Sequence, residues 1–291
     1  MNWNKRTLVI CDLDGSLLKD DETISQFSVD IIKKFTSKNN NKFCIATGRP
    51  IRAAIKYYKQ LGLDTIMANL NGANIINPTD PNFSMINLGF SKEAIKHILS
   101  DKKLLKYIGC VLIENIEGTY VLTEEKSKFI QYEFLSKFHI NTKKQGDEDG
   151  FVALDLNEID KIDKDVNSIL IYIKDKKYID EITFKIKSIT NTLIVRSWSI
   201  PTDLTGTVIE VNSIFSSKGT VTKFLSSYYM IPLNQTYSFG DGENDVDMLT
   251  RSNGYAMKNA SHTVKLLTHR ITKYSNDQDG IAKEMQKLFK L

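Results

Sequence analysis

Asp12-Leu13-Asp14-Gly15-Ser16-Leu17-Leu18 follows the short apolar run Thr7 to Cys11, and Gly240-Asp241-Gly242-Glu243-Asn244-Asp245 completes the run that begins at Thr236. Each cluster closes a β-rich segment with a carboxylate and a glycine, one near the start of the chain and one near its end. Such runs are expected of strands buried on both faces of a parallel sheet. Carboxylates at two strand ends suggest a hard-cation site assembled from distant sequence. That points to a metal-assisted enzyme rather than a passive scaffold.

Working outward, strand and helix signals alternate over the first part of the chain. Ser25 to Ser37 carries Phe27, Ile31, Ile32 and Phe35 at helical spacing. Lys42 to Ala46 reads as a second buried strand. Pro50 sits at the first turn of a helix running to about Leu61. Thr65 to Ala68 reads as a third strand, ending at Asn69-Leu70-Asn71-Gly72. Repeated βα units imply a parallel sheet with helices on both faces. From about Ser84 the pattern changes. Ser91 to Leu99, Lys126 to Phe138 and Tyr178 to Ile189 read as helices; Gly109 to Glu114, Thr119 to Leu122, Ile169 to Ile173 and Leu193 to Trp198 read as strands. Gly146-Asp147-Glu148-Asp149-Gly150 is a polar loop among them. After Gly206 the α/β rhythm returns, with strands at Thr207 to Val211, Thr236 to Phe239 and Gly254 to Met257 and helices at Lys218 to Tyr229 and Ile281 to Phe289. The expected architecture is a sheet domain built from residues 1–84 and 206–291, with an α+β domain, residues 85–205, inserted between. Ligands of open parallel sheets bind beyond the carboxyl ends of the strands. Asp12, Thr47, Asn71 and Asp241 all follow such ends.

The 291 residues suffice for two domains. A hydrophobic share of 41% with 25% charged residues is that of a globular protein. A net charge of +4 is too mild for a dedicated nucleic-acid binder. The three cysteines, Cys11, Cys44 and Cys110, are an odd count without close pairing, which speaks against a disulfide framework and for a reducing compartment. Five residues separate Arg6 from Asp12, too few for the apolar part of a signal peptide. No apolar stretch approaches the ~18 residues of a membrane span. A cytoplasmic protein, without membrane or nucleic-acid partners, is the expectation.

Taken singly, Asp-x-Asp-Gly is also an ordinary turn, because Asp and Gly are turn residues. A calcium-binding EF-hand is excluded. Its loop needs glycine at the sixth position, where Leu17 stands counting from Asp12 and Val246 counting from Asp241. Thr47 alone reads equally as a strand-end residue, Lys218 as a helix-start surface lysine, Asn71 as a turn residue, and Arg49 as a phosphate ligand or a salt-bridge partner. His97, His139, His262 and His269 have no metal-ligand spacing.

Taken together, the segments resemble the haloacid dehalogenase superfamily. Asp12 to Leu18 is similar to its first motif, Thr47-Gly48-Arg49 to its second, Lys218-Gly219 to its third and Gly240 to Leu249 to its fourth. Asn71-Gly72-Ala73, Ala256-Met257-Lys258-Asn259-Ala260 and Asp279-Gly280 resemble further positions of the Cof-type phosphatase subfamily. Ser16 stands where threonine is commoner there, and Lys258 where glycine is frequent. The middle segment has no motif of its own. It lies where that subfamily carries an α+β cap, the type called C2B, on a Rossmann-like core.

The resemblance implies Mg²⁺-dependent hydrolysis of phosphate esters through an aspartyl-phosphate. Asp12 would be the nucleophile. Asp14 would protonate the leaving alkoxide and then take a proton from water, with its backbone carbonyl on the metal. Asp12, Asp241 and Asp245 would be the metal carboxylates. Thr47, the Gly48 amide, Arg49, Asn71, Asn244 and Lys218 would bind phosphate, Lys218 also steadying Asp12 and the transferring group. The implied substrate is a small phosphorylated metabolite, a sugar phosphate above all. Two other readings stay open. A phosphosugar mutase would return an isomer with no free phosphate. A non-catalytic phospholigand regulator would bind but not turn over, and would have no need of Asp14.

Overall fold

The structure, a computed structural model, describes residues 6–123, 151–198 and 207–291. The helix expected over Lys126 to Phe138 and the loop Gly146 to Gly150 lie outside the described residues. The chain divides into two compact units, Met1–Ile86 with Ser216–Leu291, and Asn87–Phe215.

In the first unit four parallel strands stand in the order Asn253–Ala256, Thr236–Gly240, Leu8–Cys11, Lys42–Ile45. Every residue of Leu8–Cys11 is fully buried, as an unbroken apolar run between two neighbours requires. The register pairs Cys11 with both Phe239 and Ile45. The carboxyl ends of these three strands are therefore level. Asp12, Thr47 and Asp241, each one or two residues further on, start from one edge of the sheet.

Helix Gln26–Thr36 packs beside Gly280–Phe289, with the rings of Phe35 and Phe289 4.8 Å apart. It begins where the Ser25 hydroxyl accepts the Ser28 N–H at 3.1 Å, a serine N-cap. Ile31, Ile32 and Phe35 are buried as their spacing predicts, but Phe27, in the first turn, is 37% exposed and Val29 is buried instead. Ile51–Leu61 follows Pro50, which is its N-cap, and stops at Gly62 in the left-handed region. The expected third strand, Met67–Asn69, meets the edge of the parallel sheet through the parallel Ala46–Ala68 bridge and the Thr47 N–H, which donates to Ala68 O at 2.9 Å. It also pairs antiparallel with Asn74–Ile76 in a hairpin. The reversal follows from positive φ at Leu70, Asn71 and Gly72.

In the second unit six strands stand in the order Leu193–Trp198, Thr207–Ser213, Val166–Ile173, Ile108–Asn115, Gly118–Thr123, Val152–Asp155. Neighbours are antiparallel except for the last pair. Helices Glu93–Leu99 and Ile179–Ile189 share an apolar cluster with one face of this sheet, through Ile95, Ile98, Ile182 and Ile186. One expectation is corrected here. Thr207–Ser213 does not return to the parallel sheet; it pairs antiparallel with Val166–Ile173 and with Leu193–Trp198. Its run of Val208, Ile209 and Val211 specifies a buried strand but not which sheet receives it. The inserted unit accordingly extends to Phe215 rather than to residue 205.

Candidate active site

Asp12 is the first residue past its strand, and its N–H still donates to Phe239 O at 3.0 Å. The chain then makes a wide turn over Leu13–Leu17. Leu17 N–H donates to Asp12 O at 3.3 Å and Leu18 N–H to Leu13 O at 2.9 Å, with Gly15 at φ +66°. No side chain fits at Gly15, because a Cβ there would lie 2.3 Å from Asp241 Oδ2. The turn is thus pressed onto Asp241, and the Ser16 hydroxyl donates to Asp241 Oδ1 at 2.8 Å. We expect Gly15→Ala to cost about 1–2 kcal/mol from the left-handed backbone alone, with the clash adding to it. Urea denaturation of the metal-free protein measures this, and a loss below 0.5 kcal/mol (roughly the exposed-site range) contradicts it.

Lys218 opens the helix Lys218–Tyr228, where the Ser217 hydroxyl accepts the Thr220 N–H at 3.1 Å. Its side chain is 0% exposed, and Nζ donates to Asp12 Oδ1 at 2.5 Å and to Asp245 Oδ1 at 2.6 Å. Burial works against the ammonium, but the two carboxylates outweigh it and raise its pKa. Asp245 spends its other oxygen on the N–H groups of Asp241 and Gly242, both at 2.9 Å. Burial likewise lifts the Asp12 carboxyl well above the usual range; Lys218 opposes this, and Asp245, Asp241 and Asp14 add to it. Asp241 is pushed up to about 6, by burial first and Asp245 next, against Ser16 and Lys218.

Asp12, Asp241 and Asp245 each offer an oxygen within 4.8 Å of the others. Three formal carboxylates face one ammonium, which leaves an anionic surplus among all-oxygen donors. That donor set fits a hard dication such as Mg²⁺. Asp14 stands apart from it. Its carboxylate, 54% exposed, is gripped by Arg49 through Nε to Oδ2 at 2.8 Å and through Nη2 to Oδ1. The metal contact that the resemblance implies for Asp14 would be made by its backbone carbonyl and not by this carboxylate.

Burial of Asp241, with Asp245 beside it, makes stability depend on pH. Asp241 in the folded protein holds a proton that the unfolded chain gives up near 3.8. The stability it contributes is therefore present below about 4 and lost as pH rises through about 6. At about 1.4 kcal/mol per pH unit that gap amounts to roughly 3 kcal/mol. We expect the metal-free protein to melt progressively lower from pH 4 to pH 7, and Asp241→Asn to flatten this trend. Parallel profiles for the two proteins, by calorimetry in EDTA, contradict it.

Among the proposed phosphate ligands, Thr47 is buried; its N–H donates to Ala68 O, and its Oγ1 accepts the Arg49 N–H at 3.1 Å. Gly48 is exposed ahead of the helix that starts at Ile51. Asn71, left-handed at φ +56°, accepts at Oδ1 from Asn244 Nδ2 at 2.9 Å. These two residues are thereby joined. Of the two readings open for Arg49, the structure shows the salt bridge. Besides Asp14 the guanidinium meets Glu22 at 3.4 Å and lies 5.3 Å from the Tyr57 ring centre. Glu22, Tyr57 and Asn259 were not read as site residues. Glu22 and Tyr57 carry no local signal, because they reach the site through folding alone, whereas Asn259 stands in the segment Ala256 to Ala260 that resembles the subfamily. Among the described residues no helix is long and apolar enough to cross a membrane.

A buried lysine between carboxylates at the carboxyl edge of a parallel sheet makes a carboxylate-centred site of the kind a hydrolase can use. The family described as haloacid dehalogenase-like hydrolase matches residues 9–285. The chain is 29% identical over 294 residues to 5-amino-6-(5-phospho-D-ribitylamino)uracil phosphatase of Bacillus subtilis, covering 99% of each. In fold it is similar to a phosphatase of the same superfamily from Bacteroides thetaiotaomicron, with a TM-score of 0.74, 23% identity, and 99% of this chain and 96% of that one covered. It is similar also to a haloacid dehalogenase-like hydrolase of B. subtilis, with a TM-score of 0.73, 24% identity, and 97% and 99% covered. The chain belongs to the haloacid dehalogenase-like hydrolases and is a Cof-type phosphatase with an inserted α+β cap.

Proposed function

We propose that this chain hydrolyses small phosphorylated metabolites, sugar or polyol phosphates above all, in the presence of Mg²⁺ and through an aspartyl-phosphate on Asp12. The observation that carries the reading is the buried Asp12 carboxylate, held by Lys218 beside Asp241 and Asp245. Mg²⁺ held by Asp12, Asp241 and Asp245 would offset the repulsion between an anionic carboxylate and an anionic phosphate.

The remaining work falls to the chain. An Asp12 oxygen bonds to phosphorus, and the bond from phosphorus to the leaving oxygen breaks with its electron pair on that oxygen. Asp14 supplies the proton that makes it an alcohol. Water then attacks the phosphorus, Asp14 takes back a proton, and the bond to Asp12 breaks to release inorganic phosphate. Lys218 keeps Asp12 oriented and offsets charge on the transferring group. The Thr47 hydroxyl, the Gly48 amide and the Asn71–Asn244 pair bind phosphate oxygens. Residues 87–215 select the alcohol that leaves. The relative from B. subtilis acts, by its name, on a phosphorylated ribityl chain, which supports a polyol or sugar phosphate here. The proposed setting is the cytoplasm; three free, buried cysteines suit a reducing compartment.

The test is phosphate release from p-nitrophenyl phosphate and from a panel of sugar phosphates, with Mg²⁺ and with EDTA. Release that needs Mg²⁺ is expected. An isomerised sugar phosphate without free phosphate would make the protein a mutase. Tight binding without turnover would make it a regulator and end the proposal.

A further inference from the structure

The turn that carries Asp12 and Asp14 is fastened from outside by two asparagines more than 240 positions away in sequence. Asn259 Nδ2 donates to Gly15 O at 2.7 Å, and Asn259 Oδ1 accepts the Asn276 N–H at 3.1 Å. Asn276 Nδ2 in turn donates to Leu18 O at 3.0 Å and to Asp20 Oδ1 at 2.9 Å. The partners fix both amide orientations, because a backbone N–H must meet oxygen and a carbonyl or carboxylate must meet N–H. Asn259 is itself anchored. It lies in a turn whose Met257 N–H donates to Gly240 O at 2.9 Å, one residue before Asp241. The relay therefore ties Gly15 to the strand end that bears Asp241, and it also holds the far end of the turn at Leu18. A second set of bonds extends the fastening, with Asp20 N–H donating to Asp277 Oδ1 at 2.9 Å and the Ser25 hydroxyl to Asp279 Oδ1 at 2.6 Å.

Asp14 is extended, at φ −71°, ψ 129°, while Gly15 at φ 66°, ψ 0° is left-handed, so the chain leaves helical geometry at both residues. The Asp14 carbonyl and the Gly15 N–H form one planar peptide, and Asn259 pins the next carbonyl, that of Gly15, so the chain that carries the Asp14 carbonyl is held from the far side of Gly15. We infer that Asn259 and Asn276 are positioning residues that hold the Asp12–Leu18 turn against Asp241 and so preset this chain's oxygen donors for Mg²⁺. The inference rests on the metal dependence proposed above. Asn259 is exposed while Asn276 is buried, so the two contribute unequally to folding but belong to one relay.

The experiment is calorimetric titration with Mg²⁺ alone on wild type, Asn259→Ala, Asn276→Ala and the double variant, with melting temperatures in EDTA. Partners of metal ligands typically carry about 10–100-fold in affinity. We expect Asn259→Ala to bind Mg²⁺ about tenfold more weakly while melting in EDTA close to wild type. The double variant should bind more weakly than either single one, because the Asn276 N–H that holds Asn259 is main chain and survives Asn276→Ala, so each side chain pins its own carbonyl. In turnover, the Mg²⁺ concentration for half-maximal rate should rise while KM for p-nitrophenyl phosphate at saturating Mg²⁺ stays put. An Mg²⁺ affinity in Asn259→Ala within about twofold of wild type overturns the inference, whatever Asn276→Ala does to folding, since single-partner losses there are expected to reach tenfold. A wild type that binds no Mg²⁺ overturns the metal reading itself.

Discussion

Asp12→Asn abolishes phosphate release, with a loss of at least about 10³-fold in kcat, while the protein still folds. The amide has nearly the carboxylate's shape but no charge, and it cannot form the acyl-phosphate. Lys218 keeps Asp245 as its partner at 2.6 Å, so its ammonium is not left unpaired. The folded protein also loses a carboxylate that burial, Asp245 and Asp241 all drive toward its protonated form. The variant should therefore melt no lower than wild type in EDTA at pH 7 and lose much of the stabilisation that Mg²⁺ confers. This pairing of lost turnover with kept stability separates a nucleophile from a structural aspartate. Rates within tenfold of wild type would place the nucleophile elsewhere.

The parallel core was legible because its strands are short and apolar, and two of them, Leu8–Cys11 and Thr236–Gly240, run straight into Asp12 and Asp241. Lys42–Ile45, Thr236–Gly240 and Asn253–Ala256 lie within one residue of their expected limits. Asp12, Thr47, Lys218 and Asp241 were legible for the same reason, since each stands at an element's end and carries a recognisable type in order. What stayed hidden depends on pairing over long distances. Thr207–Ser213 has the composition of a buried strand in either sheet, and only its antiparallel register with Val166–Ile173 assigns it. The hairpin after Met67–Asn69 turns on left-handed backbone at Leu70, a residue type that gives no warning of it. Arg49 was readable as a phosphate ligand by its place in a motif. Its carboxylate partners, Asp14 and Glu22, are brought to it by the turn at Gly15, whose geometry no local pattern specifies.

Lys218→Met carries the largest expected stability loss. Methionine matches the length of the lysine stem and fills the same fully buried space, so packing is largely kept and the change isolates the charge. What remains is Asp12 and Asp245 with their shared cation gone, both buried and each still bound to its own loop. Removing one partner of a buried pair costs about 3–5 kcal/mol, because the other charge stays in a poorly solvated place. We expect that loss in urea denaturation at pH 7 in EDTA. Three results should accompany it. Acidification should recover part of the loss, since Asp12 without Lys218 loses the one influence that lowers its pKa among those acting on it most strongly. Mg²⁺ should recover part as well, by replacing the missing positive charge. The double variant Lys218→Met/Asp245→Asn should be less destabilised than Lys218→Met alone, because removing a charge with its partner spares the unpaired state. Turnover should fall by about 10²–10³-fold even at saturating Mg²⁺, the range seen when a charge-stabilising donor is lost from an active site. A loss under about 1 kcal/mol, the worth of an exposed ion pair, would mean that water already reaches these carboxylates and that Lys218 is not their counter-ion.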